Sequence, residues 1–238
     1  MNPQRIPVLV NRGSLVLAPV LLLLSVIAMP TAASGAADQV AAIGSEPGRW
    51  YAFTLLSLLS SALFVPALLA LLQLTRDRAP FTALAGVGLC SAGSFVAVAD
   101  SGTQLVYWQM GRGDRGAMLA LAHRFEQAAG ANALFTVGGF AFMIGSIVLA
   151  VALTRARALP AWAAACLPVG IVANIVGFAA GSRTLLIASA IVLTVGLARA
   201  ARLPSALPLS RHGRLRTGAD EGECRGGSWT RGTSTRST

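Results

Sequence analysis

Six apolar runs, each close to membrane length, recur along the chain at residues 14–33, 50–74, 81–100, 132–153, 161–182 and 184–203. About 20 apolar residues cover the ~30 Å of bilayer hydrocarbon in helical form. An exposed backbone N–H or C=O cannot be hydrated at that depth, so each run predicts a helix, which pairs those groups internally. Only 12% of the 238 residues are charged and 55% are hydrophobic, whereas a soluble domain carries about a quarter charged residues. The expected fold is all-α, a polytopic transmembrane bundle of six spans over residues 14–203. Residues 1–13 would be a cytoplasmic amino terminus, and residues 204–238, rich in Arg, Gly, Ser and Thr, a disordered cytoplasmic tail.

Arginine sets the expected orientation. Arg5, Arg12, Arg76, Arg78, Arg155, Arg157, Arg199 and Arg202 fall on one side of the alternation, and Arg49, Arg112, Arg115, Arg124 and Arg183 on the other. Basic flanks resist translocation, so the side with more arginine, and with it both termini, is expected in the cytoplasm. All 19 basic residues are Arg and none is Lys, the mark of codon bias in a GC-rich bacterial genome. The net charge of +10 does not point to nucleic acid, because the arginines stand at segment ends and no basic run is interleaved with aromatics.

Between the runs lie segments of different character. Residues 34–49 read as a polar loop, and residues 114–129 as an outer amphipathic segment with Met118, Leu121, Ala122, Phe125 and Ala129 on one face. Trp50 and Tyr51 suit an interfacial belt at the edge of the second run. Thr54, Ser57 and Ser61 share a face, as hydroxyls do where membrane helices pack, and Pro66 is expected to kink that helix. The first run also has the make-up of a secretory signal with a cleavage site near Ala36; with five runs following, an uncleaved first span is the preferred reading.

The third run carries the sharpest feature. At 100° per residue, Gly86, Cys90, Gly93, Ala97, Asp100 and Gln104 lie within about 40° of one line. A seam of small residues thus leads to an acid and an amide. In the fifth run Gly170, Asn174, Gly177 and Gly181 form a similar seam. Gly86, Cys90, Gly93, Gly170, Gly177 and Gly181 are expected to pack helices closely. Asp100, Gln104 and Asn174 are the candidate ligand-binding residues, because an ionisable group at membrane depth is expensive unless it serves a site. Nineteen apolar residues precede Asp100, however, which puts it at the outer end of its run where water lowers the cost of charge, and the preferred reading makes it a helix-end acid paired with an outer Arg.

Other chemistry has little support. His123 and Glu126 are three apart and could join Asp100 in an external metal or acid/base site, but a solvated polar face explains them better. Cys90, Cys166 and Cys224 form no CxxC or Cys/His cluster. HExxH, GxSxG and a Walker A loop are missing. No metal, cofactor or catalytic residue is assigned.

With the turns TRDRAP and TRARALP, the LAHRFEQ segment and the all-Arg composition, residues 10–203 resemble uncharacterised multi-pass membrane proteins of high-GC bacteria such as actinomycetes. The resemblance rests on layout and implies a bacterial cytoplasmic-membrane location but no mechanism. The leading functional expectation is a non-enzymatic sensor, regulator or scaffold, its partners the lipid bilayer and a membrane protein or a second copy of itself. The alternative is a small-molecule permease with an outward-facing polar site; a membrane enzyme comes third.

Overall fold

The computed structural model describes residues 5–30, 35–76, 78–111, 113 and 115–202. The expected tail at 204–238 lies outside the described residues. Eight helices and no strand are present among them: α1 (Arg5–Ala28), α2 (Ala36–Ser45), α3 (Pro47–Thr75), α4 (Pro80–Met110), α5 (Arg115–Gln127), α6 (Ala129–Arg155), α7 (Ala161–Ala179) and α8 (Arg183–Ala201). Of these, α3, α4, α6, α7 and α8 are long and apolar enough to cross a membrane, and α1 carries a shorter apolar stretch, Gly13–Ala28.

Local chemistry fixes many of the ends. Pro47 and Pro80 open α3 and α4, where a missing N–H costs nothing and the ring presets φ. At the end of α7, Gly181 takes φ 61 while the Ser182 N–H reaches the Gly177 carbonyl at 2.9 Å, so Gly181 is a left-handed helix terminator. Ser182 then caps α8, its hydroxyl accepting from the Leu185 N–H at 3.4 Å. Gly181, expected on the packing seam, is therefore a turn residue. The turn after α6 uses the same geometry with Arg157 at φ 52.

The six long helices close into a ring in the order α1, α3, α4, α6, α7, α8 and back to α1. Two of its seams depend on missing side chains. A Cβ on Gly86 would come 2.8 Å from the Leu149 backbone nitrogen, and one on Gly145 would come 2.7 Å from that of Cys90, so α4 and α6 meet backbone to backbone. Between α7 and α8, Gly170 and Gly177 instead receive the side chains of Leu193 and Leu186. Small residues permit this close approach, and dispersion then does what hydrophobicity cannot do between helices in lipid. Arginine ties the ends: Arg78 donates to the Ala156 carbonyl at 2.9 Å, and Arg183 to the Ile27 carbonyl at 2.7 Å.

The ring has two unlike ends. At the turn end, where α3 meets α4 and α6 meets α7, leucines such as Leu68, Leu71, Leu149, Leu153 and Leu197 fill the centre. The other end is capped by α2 and α5. The expected polar loop at 34–49 is corrected here: α2 is an amphipathic helix with Asp38 in its first turn, favourable at the positive dipole end, and with Val40, Ala42 and Ile43 buried. It packs on α3, α4 and α5. The expected amphipathic segment is the helix α5, which buries Met118 and Ala122, while Ala129 belongs to α6.

Two further expectations change. Trp50 is not an interfacial residue, since it is 1% exposed and packs with Ala42 and Ile43 under α2. Tyr51 is on the surface, stacked on Trp108 with ring centroids 4.6 Å apart. The helix that carries the third run does not stop at residue 100; α4 continues ten residues to Met110, and Trp108 donates from its indole to the Pro47 carbonyl at 2.8 Å. Around the ring the outside is apolar, with Phe81, Leu84, Phe95, Val137 and Phe140 all exposed, a surface suited to lipid.

Candidate functional site

Between the leucine-filled end and the cap, the ring is hollow. A cavity of about 410 Å³ is lined by residues of all six long helices and by Gln39 of α2. Asp100, Gln104 and Asn174 all face it. Two of them were expected on one helix and the third on another; ring closure brings α4 and α7, with α6 between them, onto one chamber. A second cavity of about 290 Å³ lies toward α5 and the start of α6, and shares Gln39, Asp100 and Gln104 as walls. Toward the turn end, a void of about 10 Å³ lies among Leu71, Leu153 and Leu167, too small for more than one water. The chamber is blind in that direction.

Asp100 is surrounded by helices, yet it keeps accessible surface, because what it borders is the chamber. Gln104, one turn on, donates to its carboxylate. With the amide nitrogen facing the acid, Gln104 Oε1 points away and is buried without a partner. Among the described residues no arginine pairs with Asp100. Two of the arginines near the capped end have other partners: Arg49 meets Glu46 at 2.7 Å, and Arg183 donates to the Ile27 carbonyl near the end of α1.

The hydroxyls are the part of the site that sequence reasoning undervalued. Ser57, Ser60 and Ser61 from α3 and Ser94 and Ser101 from α4 line the chamber. Ser60 donates across the α1–α3 seam to the Ala18 carbonyl at 2.8 Å, while Ser94 and Ser101 donate to Cys90 and Ala97 one turn back, each at 3.0 Å. Asn174 Nδ2 donates to Ser189 Oγ at 3.3 Å. Trp50, Phe53, Phe64, Phe142 and Phe178 supply the aromatic wall. Serine spacing on α3 is visible in the sequence, but its direction depends on which neighbours the ring gives that helix.

The packing glycines fall elsewhere. Gly86, Cys90 and Gly93 face α6, whereas Ala97, Asp100 and Gln104, farther along the same line, face the chamber. His123 lines neither cavity. Among the described residues no three His, Cys, Asp or Glu side chains stand together as metal ligands would.

The fold and the chamber together define a class: a helical bundle whose long apolar helices suit an integral membrane protein, with a polar pocket enclosed by the ring. Set against family models, curated proteins and solved structures, the chain finds no match in any of the three.

Proposed function

We propose that the protein is a bacterial cytoplasmic-membrane sensor or regulator that crosses the bilayer six times, with both termini inside, and holds a small molecule in its chamber. The observation that carries this reading is the convergence of Asp100, Gln104 and Asn174 on one cavity. A scaffold acting through its outer faces gains nothing from a hollow centre lined by a carboxylate, which costs stability in a dry core. The apolar part of α1 is shorter than a usual span, but α1 stands in the ring between α3 and α8 like its neighbours, which supports the sixth span. The arginine count supports placing the capped end outside.

A permease is the second reading, favoured by the same polar groups. The leucine packing at the turn end argues against it, since passage would require that core to separate. The reading of a ligand-holding sensor is tested by thermal melts of the purified chain against a small-molecule library. A ligand at a hundredfold excess over its Kd stabilises by about 2.7 kcal/mol, and that shift should vanish in Asp100→Ala. No shift from any compound, with Asp100→Ala melting like the parent, would leave only the scaffold.

A further inference from the structure

We propose that the chamber's ligand is a small organic cation, an ammonium group on an apolar or aromatic body. This deepens the reading of a ligand-holding chamber and rests on it. The first argument is charge. Among the described residues Asp100 is the only charged side chain lining either cavity, and no Arg or His lines them. An anion would meet that carboxylate unscreened, while a cation would be paired by it.

The second argument is the direction of the hydrogen bonds. Ser60, Ser94 and Ser101 have given their protons to the carbonyls of Ala18, Cys90 and Ala97, so toward the chamber they can only accept. Asn174 spends a donor on Ser189 and Gln104 spends one on Asp100, and the oxygen of Gln104 is left buried without a partner. The polar wall is thus rich in acceptors. The donors that remain are the indole N–H of Trp50, which has no partner, the second amide N–H of Asn174 and of Gln104, the amide of Gln39 and the hydroxyls of Ser57 and Ser61; none of them carries a charge. An ammonium brings three donors and a positive charge, the complement of such a wall.

The third argument is the rest of the lining. Trp50, Phe53, Phe64, Phe142 and Phe178 line the chamber with aromatic and apolar bulk, a surround that accepts a hydrocarbon body and, wherever a ring face is presented, attracts a cation through the ring quadrupole. An inorganic ion would use the oxygens but leave the volume of about 410 Å³ largely empty.

The test uses the full chain with Cys90→Ala, Cys166→Ala and Cys224→Ser, and one new thiol at Ser57→Cys. Ser57 lies 18 residues from Thr75 and Asp100 lies 20 from Pro80, so at 1.5 Å per residue the two stand at nearly the same depth above the turn that joins their helices. In detergent at fixed ionic strength, the new thiol is modified by two methanethiosulfonates, one carrying trimethylammonium and one carrying sulfonate. The ratio of rates, corrected for the ratio with a free thiol, should favour the cation by at least about tenfold. It should fall to near one in Asp100→Asn and persist in Asp100→Glu. Phenethylammonium should slow the cationic reagent, and an equal concentration of sodium should not. A preference that is missing, or that survives Asp100→Asn, overturns the cation while leaving an accessible chamber. Protection by sodium as good as by phenethylammonium overturns the organic body. No modification by either reagent means the chamber is closed, and both this inference and the ligand-holding reading fall.

Discussion

Gly93 and Phe142 meet so closely that a Cβ on the glycine would stand 2.5 Å from the Cβ of the phenylalanine. Phe142 also lines the chamber, so the α4–α6 seam and the site share a side chain. Gly93→Ala must push α6 away and carry Phe142 with it, because the atoms met are the Phe142 Cβ and Cα and the Gly138 carbonyl, which no side-chain rotation moves. Overpacking of this kind costs about 1–3 kcal/mol, and thermal melts of the purified protein should show it. Gly88→Ala is the control, since nothing lies within 4 Å of a Cβ there. It should be neutral or stabilise slightly, as alanine is the better helix former by up to about 1 kcal/mol.

The bond from Ser60 to the Ala18 carbonyl holds α3 to α1 with both residues buried. Ser60→Ala should destabilise only modestly, by about 0.6 kcal/mol and at most about 1.7, because the Ala18 carbonyl also serves the helix ladder of α1. Ser60→Leu must place a larger side chain against α1 beside the chamber. It should lower the melting temperature several-fold more than the alanine change.

Much of this arrangement is legible in the amino-acid sequence, and the limits have physical causes. Apolar run length fixes α3, α4, α6, α7 and α8 to within a few residues except at the end of α4, because hydrophobic length is a one-dimensional property. The line from Gly86 to Gln104 is also correct as a line. What it faces changes along its length, from α6 at Gly93 to the chamber at Asp100, and that depends on ring closure between helices distant in sequence. The expected polar loop that is in fact α2 hides its few apolar residues, Val40, Ala42 and Ile43, among small and polar ones. Gln39 therefore gives no sign in the sequence of being a chamber residue. Trp50 looks interfacial because a terminal aromatic usually is; only the presence of α2 above it makes it buried.

The positive φ of Arg157 gives a prediction of opposite sign to most core changes. A left-handed conformation costs a side-chain-bearing residue about 1–2 kcal/mol that glycine avoids. Arg157→Gly should therefore raise the melting temperature, with a gain near 1 kcal/mol after the extra chain entropy of glycine is counted. Gly181, at φ 61, is already optimal, and Gly181→Ala should lose a similar amount. Parallel melts of the two variants check the pair, and a gain in both or a loss in both would contradict the argument.

The proposed orientation turns on parity as much as on arginine. With six spans both termini share a side, whereas with only the five longest helices spanning they would lie on opposite sides. Fusing green fluorescent protein to each terminus in turn, and alkaline phosphatase after Gly113 and after Asp77, separates these cases. Both fluorescent fusions should glow, because that fold matures inside the cell, and the phosphatase should be active only after Gly113, on the capped side. Eight arginines at span ends against five make this the favoured insertion. Replacing Arg76 and Arg78 with Gln lowers the larger count to six against five and should yield a mixed population in the same assay. Phosphatase activity after Asp77 in the unmodified chain would reverse the orientation and put the chamber's capped side toward the cytoplasm.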